Sequence, residues 1–77
     1  MIASKVHEIW RRELALDTFS DTDDFFEIGG HSLIMAKIQE ALAAELGVEV
    51  PMDELFRRST VAEIAAHIES LRATAQA

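Results

Sequence analysis

The sequence TVAEIAAHIESL at residues 60–71 decides the fold, because it predicts both the start of a helix and the face that this helix buries. Thr60 and Glu63 have the spacing of a capping box, in which the threonine oxygen and the glutamate each satisfy a free backbone N–H group. The pattern therefore predicts a helix that begins at Thr60. Its apolar residues recur at helical spacing and form one predicted buried stripe, which consists of Val61, Ile64, Ala65, Ile68 and Leu71.

Two segments nearer the start of the chain show the same periodicity. Residues 2–16 separate apolar from charged side chains, and residues 33–46 carry a second stripe that ends before Gly47. A short helix is predicted from Pro51 to Phe56, because proline is favoured at the first turn of a helix. The apolar residues of the first segment are Ile2, Val6, Ile9, Trp10 and Leu14, and those of the second are Ile34, Ile38, Ala41, Leu42 and Leu46. Trp10, Met35 and Phe56 are predicted core or rim residues.

The fold class follows from these helices. No window alternates apolar and polar residues for long enough to predict a strand. We therefore expect an all-α fold, a small four-helix bundle with three long helices and one short helix. We assign residues 1–72 to one domain and residues 73–77 to a disordered tail, because the tail has too little apolar surface to bury.

Length and charge exclude several classes of function. The chain has 77 residues, of which 7 are Lys or Arg and 14 are Asp or Glu, so its formal net charge is −7. So short a chain has little room for a walled substrate cavity, and its charge disfavours nucleic acids and anionic membrane surfaces. The absence of cysteine excludes disulfides, zinc–thiolate sites and cysteine catalysis. With no basic-then-apolar leader at Met1 and no apolar run of spanning length, we expect a cytoplasmic protein.

The connection at residues 17–31 carries the most functional information, because connections this long in a small domain tend to be functional. We interpret its acidic residues as a solvated, partner-facing surface, and we expect its apolar residues to fix the loop in the groove between helices. The acidic residues are Asp17, Asp21, Asp23, Asp24 and Glu27, and the apolar ones are Phe19, Phe25, Phe26 and Ile28.

Ser32 stands at the predicted start of the second long helix, and two interpretations of it are open. Serine is a common N-cap. Its hydroxyl can also be the attachment point of a phosphate-bearing group, because a helix N-terminus favours an anion and Gly29 and Gly30 let another molecule approach. Leu33 falls opposite the buried stripe on a helical wheel, which predicts an apolar docking surface beside the serine.

The run Asp24-Phe25-Phe26-Glu27-Ile28-Gly29-Gly30-His31-Ser32-Leu33 resembles the signature of the peptidyl carrier (thiolation) domains of nonribosomal peptide synthetases. The resemblance extends over nearly the whole chain, since Trp10, Leu55-Phe56 and Ser59-Thr60-Val61 also stand where that family has similar residues. Acyl carrier proteins of fatty-acid and polyketide synthesis usually have Asp before the serine and lack the paired phenylalanines. The motif therefore favours the peptidyl branch.

This resemblance implies an acyl-carrier-protein-like bundle that carries a covalently bound group and does not itself catalyse a reaction. A phosphopantetheinyl transferase would move 4'-phosphopantetheine from coenzyme A to Ser32, and the thiol of that arm would hold aminoacyl or peptidyl groups as thioesters. The implied partners are adenylation, condensation or thioesterase domains, or tailoring enzymes, and we expect a monomer. The implied docking residues are Leu33, Ala36, Lys37, Met52 and Phe56, and the motif residues around the serine are Gly29, Gly30, His31 and Leu33.

Other functions fit the sequence less well or stay open. A serine hydrolase would need glycine where Ile34 stands, and a calcium loop would need an oxygen ligand at Phe25 and glycine at Phe26. Neighbouring side chains on a helix do not face each other, so His31 cannot activate Ser32 and receives no chemical role. An acyl carrier of a polyketide or hybrid pathway, and a non-carrier helical interaction module, stay open. The identity of the carried group stays open as well.

Overall fold

Within residues 2–76, which the computed structural model describes with side chains as far as Arg72, the chain forms four helices and no strand. This confirms the predicted all-α fold with three long helices and one short helix. The helices are α1 (Ile2–Leu14), α2 (Ser32–Leu46), α3 (Met52–Arg57) and α4 (Val61–Gln76). None of the helices in this range is long and apolar enough to cross a membrane.

Backbone conformation sets the ends of the first two helices. α1 stops at Leu14 rather than at the predicted Leu16, because Ala15 adopts a left-handed conformation with φ of 56°. α2 ends before Gly47, as predicted, since this glycine has φ of 68° and donates its N–H to the carbonyl of Ala43 at 3.1 Å. Such a left-handed residue is a common helix stop.

The start of α4 confirms half of the predicted capping box. Thr60 Oγ1 accepts the backbone N–H of Glu63 at 3.1 Å, which satisfies one free donor of the first turn. The carboxylate of Glu63, however, accepts the Thr60 hydroxyl at 3.0 Å rather than a backbone N–H. The helix therefore begins at Val61, with Thr60 as the residue that caps it.

The core lies where α1 packs against both α2 and α4, while α3 packs against α2. Met35 is fully buried and Ile34 only half-buried, so the stripe of α2 is rotated from the predicted one. The prediction for Leu71 is wrong, because this residue is 38% exposed near the end of the bundle. The buried residues are Val6, Ile9, Trp10, Phe25, Met35, Ile38, Leu42, Val50, Leu55, Val61, Ile64, Ala65 and Ile68.

The connection between α1 and α2, residues 15–31, packs onto the bundle through some of its predicted apolar residues. Phe25 is buried, with its ring edge-on to Trp10 at a centroid distance of 5.2 Å. Phe19 and Ile28 are half-buried against the core. Phe26 is 46% exposed, so it does not fix the loop by burial as Phe25 does. Phe25 is thus the residue of the connection that is buried in the core, and Phe26, which follows it, is turned toward solvent.

The predicted tail, residues 73–77, overlaps the end of α4, whose backbone is helical as far as Gln76. The side chains from residue 73 onward, and Ala77 altogether, lie outside the described residues. The domain boundary at residue 72 therefore stays a prediction.

Candidate functional site

Ser32 is the first residue of α2 and is exposed. The N-cap is His31, whose backbone is extended and whose carbonyl accepts the N–H of Met35 at 2.9 Å. The interpretation of Ser32 as an N-cap is therefore wrong by one position. His31 caps the helix through its backbone, without a hydrogen bond from its side chain.

The surroundings of the Ser32 hydroxyl leave it available. Within residues 2–72 no side chain forms a hydrogen bond with it, and the first turn of α2 contains no acidic residue. The N–H groups of that turn lack partners within the helix, and the positive end of the helix dipole lies at the same place. The site therefore combines an unengaged hydroxyl with an electrostatic environment that favours an anion.

The two glycines before the site serve different structural purposes. Gly29 has φ of 104°, a conformation that residues with a Cβ rarely adopt, and the space beside it is open. A Cβ on Gly30 would lie 2.3 Å from Cε2 of Phe25. The predicted role of Gly29 in access stays a prediction, whereas Gly30 is required by its packing against Phe25.

Asp24 is held by hydrogen bonds within the protein rather than by solvent alone. Its Oδ1 accepts the hydroxyl of Ser59 at 2.5 Å, and its Oδ2 accepts the backbone N–H groups of Phe26 at 3.0 Å and Glu27 at 3.2 Å. The hydrogen bond from Ser59, with smaller contributions from these two N–H groups, holds the pKa of Asp24 below its ordinary value despite an opposing effect of burial.

Two other acidic residues of the connection also have partners inside it or on α1. Oδ1 of Asp21 lies 2.5 Å from Nδ1 of His7, and the His7 ring stacks on Phe19 at 4.3 Å between centroids. Asp23 accepts the backbone N–H of Ser20 at 2.8 Å. The carboxylates of these residues and of Asp24 therefore hold the loop together as well as reaching solvent, a structural role that the interpretation as a solvated surface did not include.

Apolar side chains are exposed beside Ser32. Leu33 is 65% exposed, as the helical wheel predicts, and Lys37 is exposed one turn further along α2. Phe26 stacks on Phe56 of α3 with 5.6 Å between ring centroids and 17° between planes. Phe26 was not among the predicted docking residues, although the signal was present, since only one residue of the Phe pair can fill the interior position. Ala36, Met52 and Phe56 are half-buried.

Alternative chemistries find no support in the described part of the chain. No group of three His, Asp or Glu side chains there could hold a metal ion. His31 is exposed and forms no hydrogen bond with Ser32. A serine nucleophile with its own base is therefore not assembled within residues 2–72.

The chain matches one family model and many curated proteins. The model, described as phosphopantetheine attachment site, matches residues 4–68. Tyrocidine synthase 3 of Brevibacillus parabrevis is 41% identical over 64 residues, which are 83% of this chain and 1% of that synthase. Bacitracin synthase 3 of Bacillus licheniformis is 37% identical over 68 residues, which are 88% of this chain and 1% of that synthase. The chain thus spans only about 1 to 2% of the length of the curated relatives it matches.

The chain is also similar to solved structures. A chain in the structure of the phosphopantetheine transferase Sfp in complex with coenzyme A and a peptidyl carrier protein has a TM-score of 0.87 and 33% identity, covering 91% of each chain. A chain of McyG A-PCP complexed with phenylalanyl-adenylate has a TM-score of 0.80 and 29% identity, covering 84% of this chain and 10% of that one. With the family model matched from residue 4 to residue 68, the chain belongs to the phosphopantetheine attachment site family.

Proposed function

We propose that this chain is a peptidyl carrier domain that receives 4'-phosphopantetheine on the hydroxyl of Ser32 from a phosphopantetheinyl transferase. The observation that carries the proposal is the position of this hydroxyl, exposed and unbonded at the first residue of α2 inside the segment that the family model matches. The similarity to a chain in a complex of a phosphopantetheine transferase, coenzyme A and a peptidyl carrier protein supports it.

The residues around Ser32 fit this group. A phosphodiester carries a negative charge, which the unpaired N–H groups and the dipole at the start of α2 stabilise. No acidic residue of the first turn opposes that charge. Ser32 itself is exposed, and the space beside Gly29, three residues earlier, is open.

Attachment is a substitution at phosphorus. The oxygen of Ser32 forms a bond to the phosphorus that bears the pantetheine of coenzyme A, while the anhydride bond to the nucleotide phosphate breaks and the nucleotide leaves. The hydroxyl proton passes to a base of the transferase, because no side chain within residues 2–72 bonds to the Ser32 oxygen. This chain contributes the nucleophilic oxygen and the helix terminus that holds it.

Carrier function follows from the attached group, which supplies a thiol that holds an aminoacyl or peptidyl group as a thioester. The chain performs no catalysis of its own under this proposal. Adenylation, condensation or thioesterase domains, or tailoring enzymes, would be its partners. The similarity to a chain of an A-PCP structure with phenylalanyl-adenylate supports the first of these. The paired Phe25 and Phe26 favour this function over an acyl carrier of a polyketide or hybrid pathway.

The remaining predictions about the surface and state of the protein belong to the same proposal. We place partner docking on the exposed outer face of α2 and on neighbouring α3, which pack against each other. We also retain the proposal of a monomeric, cytoplasmic domain of residues 1–72. The proposed docking residues are Leu33, Ala36, Lys37, Met52 and Phe56.

Intact-protein mass spectrometry tests the attachment site. The wild-type chain is incubated with coenzyme A and a broad-specificity transferase that modifies a reference carrier in parallel. We expect one phosphopantetheine on the wild type and on the control Ser4→Ala, which changes an exposed serine of α1, and none on Ser32→Ala. Circular dichroism verifies that the variants are folded. An unmodified wild type, or a modified Ser32→Ala, would overturn the proposal.

A further inference from the structure

Two side chains far apart in the sequence join the connection before Ser32 to the turn between α3 and α4. The Ser59 hydroxyl donates to Oδ1 of Asp24 at 2.5 Å across 35 residues of sequence. We propose that Asp24 and Ser59 are positioning residues, which hold residues 25–30 in the conformation that a phosphopantetheinyl transferase recognises next to Ser32. This inference rests on the proposed function and extends it to residues that do not touch the modified hydroxyl.

Ser59 holds the connection at two adjacent points. Besides the side-chain bond to Asp24, its carbonyl oxygen accepts the backbone N–H of Phe25 at 2.7 Å. Two hydrogen bonds between the same two short segments fix the orientation of one segment relative to the other, whereas a single bond would leave a rotation free. The Asp24–Ser59 pair therefore sets both the place and the direction of the chain as it enters Phe25.

Asp24 also shapes the turn that follows it. One carboxylate oxygen accepts the N–H groups of Phe26 and Glu27, and the Asp24 carbonyl accepts those of Glu27 at 3.0 Å and Ile28 at 3.2 Å. The same residue thus ties the turn to Ser59 and organises its backbone. Loss of the hydrogen bond between Asp24 and Ser59 would therefore allow the whole turn to move.

Phe25 transmits this constraint to the residues beside Ser32. Its carbonyl accepts the N–H of Gly30 at 2.9 Å, and its ring packs so closely on Gly30 that no Cβ fits between them. Gly30 lies two residues before Ser32. The position of the loop beside the hydroxyl therefore depends on Phe25, which in turn is held by Ser59.

The negative charge of Asp24 strengthens its hydrogen bond with Ser59. A hydrogen bond from a hydroxyl to a carboxylate is shorter and stronger than one between neutral groups. The pKa of Asp24 is lowered, and the hydrogen bond from Ser59 is the largest cause, so this bond stabilises the anion. Removal of the Ser59 hydroxyl deprives the anion of that donor.

Transferase kinetics separate positioning from chemistry. If only a fraction of the molecules presents the correct loop, the apparent affinity falls by that fraction. We expect Ser59→Ala to raise the KM for the apo chain about three- to tenfold and to leave kcat within about twofold. Ser59→Thr retains the hydroxyl and should restore the KM. Thr60→Ala is the matched control, because the Thr60 side chain forms its hydrogen bonds with Glu63 of α4 and not with the connection.

A double-mutant cycle tests whether the two residues act together. Asp24→Asn removes the charge, and we expect it to raise the KM as Ser59→Ala does. The double variant should then be little worse than Ser59→Ala alone, because the charge removed from Asp24 acts on the bond that Ser59→Ala already breaks. Fully multiplicative effects on the KM would contradict a shared role.

Amide hydrogen exchange of the unmodified protein gives a readout without the transferase. The N–H groups of Phe25 and Gly30 should exchange about tenfold faster in Ser59→Ala than in the wild type or Thr60→Ala. An unchanged KM would overturn the positioning role even if these amides exchange faster. The hydrogen bond between Asp24 and Ser59 would then stabilise the loop without affecting recognition by the transferase. A wild type that accepts no phosphopantetheine would instead overturn the proposed function, and this inference with it.

Discussion

Gly30 shows how closely the connection is packed before the helix that carries Ser32. A methyl group at this position would meet the ring of the buried Phe25 at 2.3 Å, whereas at Gly29 it would meet open space. The cost at Gly29 is backbone strain alone, because its φ of 104° disfavours a residue with a Cβ. Two adjacent glycines of one motif are therefore required for separate physical reasons.

This difference yields a prediction for two alanine substitutions. Gly30→Ala should lower the free energy of unfolding by about 1 to 3 kcal/mol through overpacking. It should also change the fluorescence of Trp10, because the Phe25 ring contacts the indole. Gly29→Ala, also destabilised through strain, should leave that emission unchanged in the folded state. Urea unfolding followed by fluorescence measures both, and identical folded-state spectra for the two variants would contradict the predicted displacement of Phe25.

At the level of elements, α2 presents two faces with different consequences for mutation. Met35 is buried in the core, and Leu33, two residues earlier, is 65% exposed. An exposed apolar residue next to Ser32 contributes little to folding, since surface substitutions usually change stability by less than about 0.5 kcal/mol. Its exposure is instead consistent with contact to a partner.

We therefore expect Leu33→Glu to preserve the helix content and melting curve in circular dichroism while it slows phosphopantetheine transfer. Met35→Ala should lower the free energy of unfolding by about 2 to 5 kcal/mol, because it leaves a cavity in the core. Initial rates of modification, measured by mass spectrometry at a temperature where both variants are folded, separate the two effects. Unfolding of Leu33→Glu, or an unchanged transfer rate, would show that the exposed face has another role.

The elements differ in how much of them the sequence could predict. Local chemistry predicted the ends of helices well, since Thr60 and Gly47 act on neighbours in the same segment. The predicted end of α1 failed at Ala15, because nothing in an alanine side chain signals a left-handed backbone. The outer face of α2 was predictable from periodicity, although the choice between Ile34 and Met35 for the core depended on packing against α1 and α3.

For the connection, the sequence led to a functional prediction but could not predict the internal structure. Its motif predicted Ser32 as the attachment residue, and this residue lies exposed at the start of α2. The bond between Asp24 and Ser59 spans 35 residues, and no local pattern specifies such a pairing. For the same reason, the sequence could not show which carboxylates form hydrogen bonds within the loop and which face only solvent.

For the molecule as a whole, the net charge of −7 combines carboxylates with different effects on stability. The pKa of Asp24 in the folded chain is lower than in the unfolded chain, so the unfolded chain binds a proton more readily. The stabilisation that this causes is fully present above the ordinary aspartate pKa of about 3.9. It is lost as the pH falls through the lowered pKa of the folded state.

Acid unfolding therefore provides a prediction for Asp24. The wild type should be more stable than Asp24→Asn at neutral pH, and the difference should shrink as the pH falls below about 4. Urea unfolding over a series of pH values measures this difference. Asp17→Asn, which changes an exposed carboxylate of the same connection, is the control. A difference between the wild type and Asp24→Asn that stays constant into acid would exclude a lowered pKa of Asp24 as its source.

The long sequence separation between Asp24 and Ser59 also determines when their hydrogen bond can form during synthesis of the chain. During synthesis, Ser32 is added to the chain before Ser59, so an incomplete chain contains the nucleophile without the residue that holds its flanking loop. Only a chain that has extended through the α3–α4 turn can close that bond. Modification would then be coupled to completion of the fold, so that a prosthetic arm is attached mainly to molecules already able to carry a cargo.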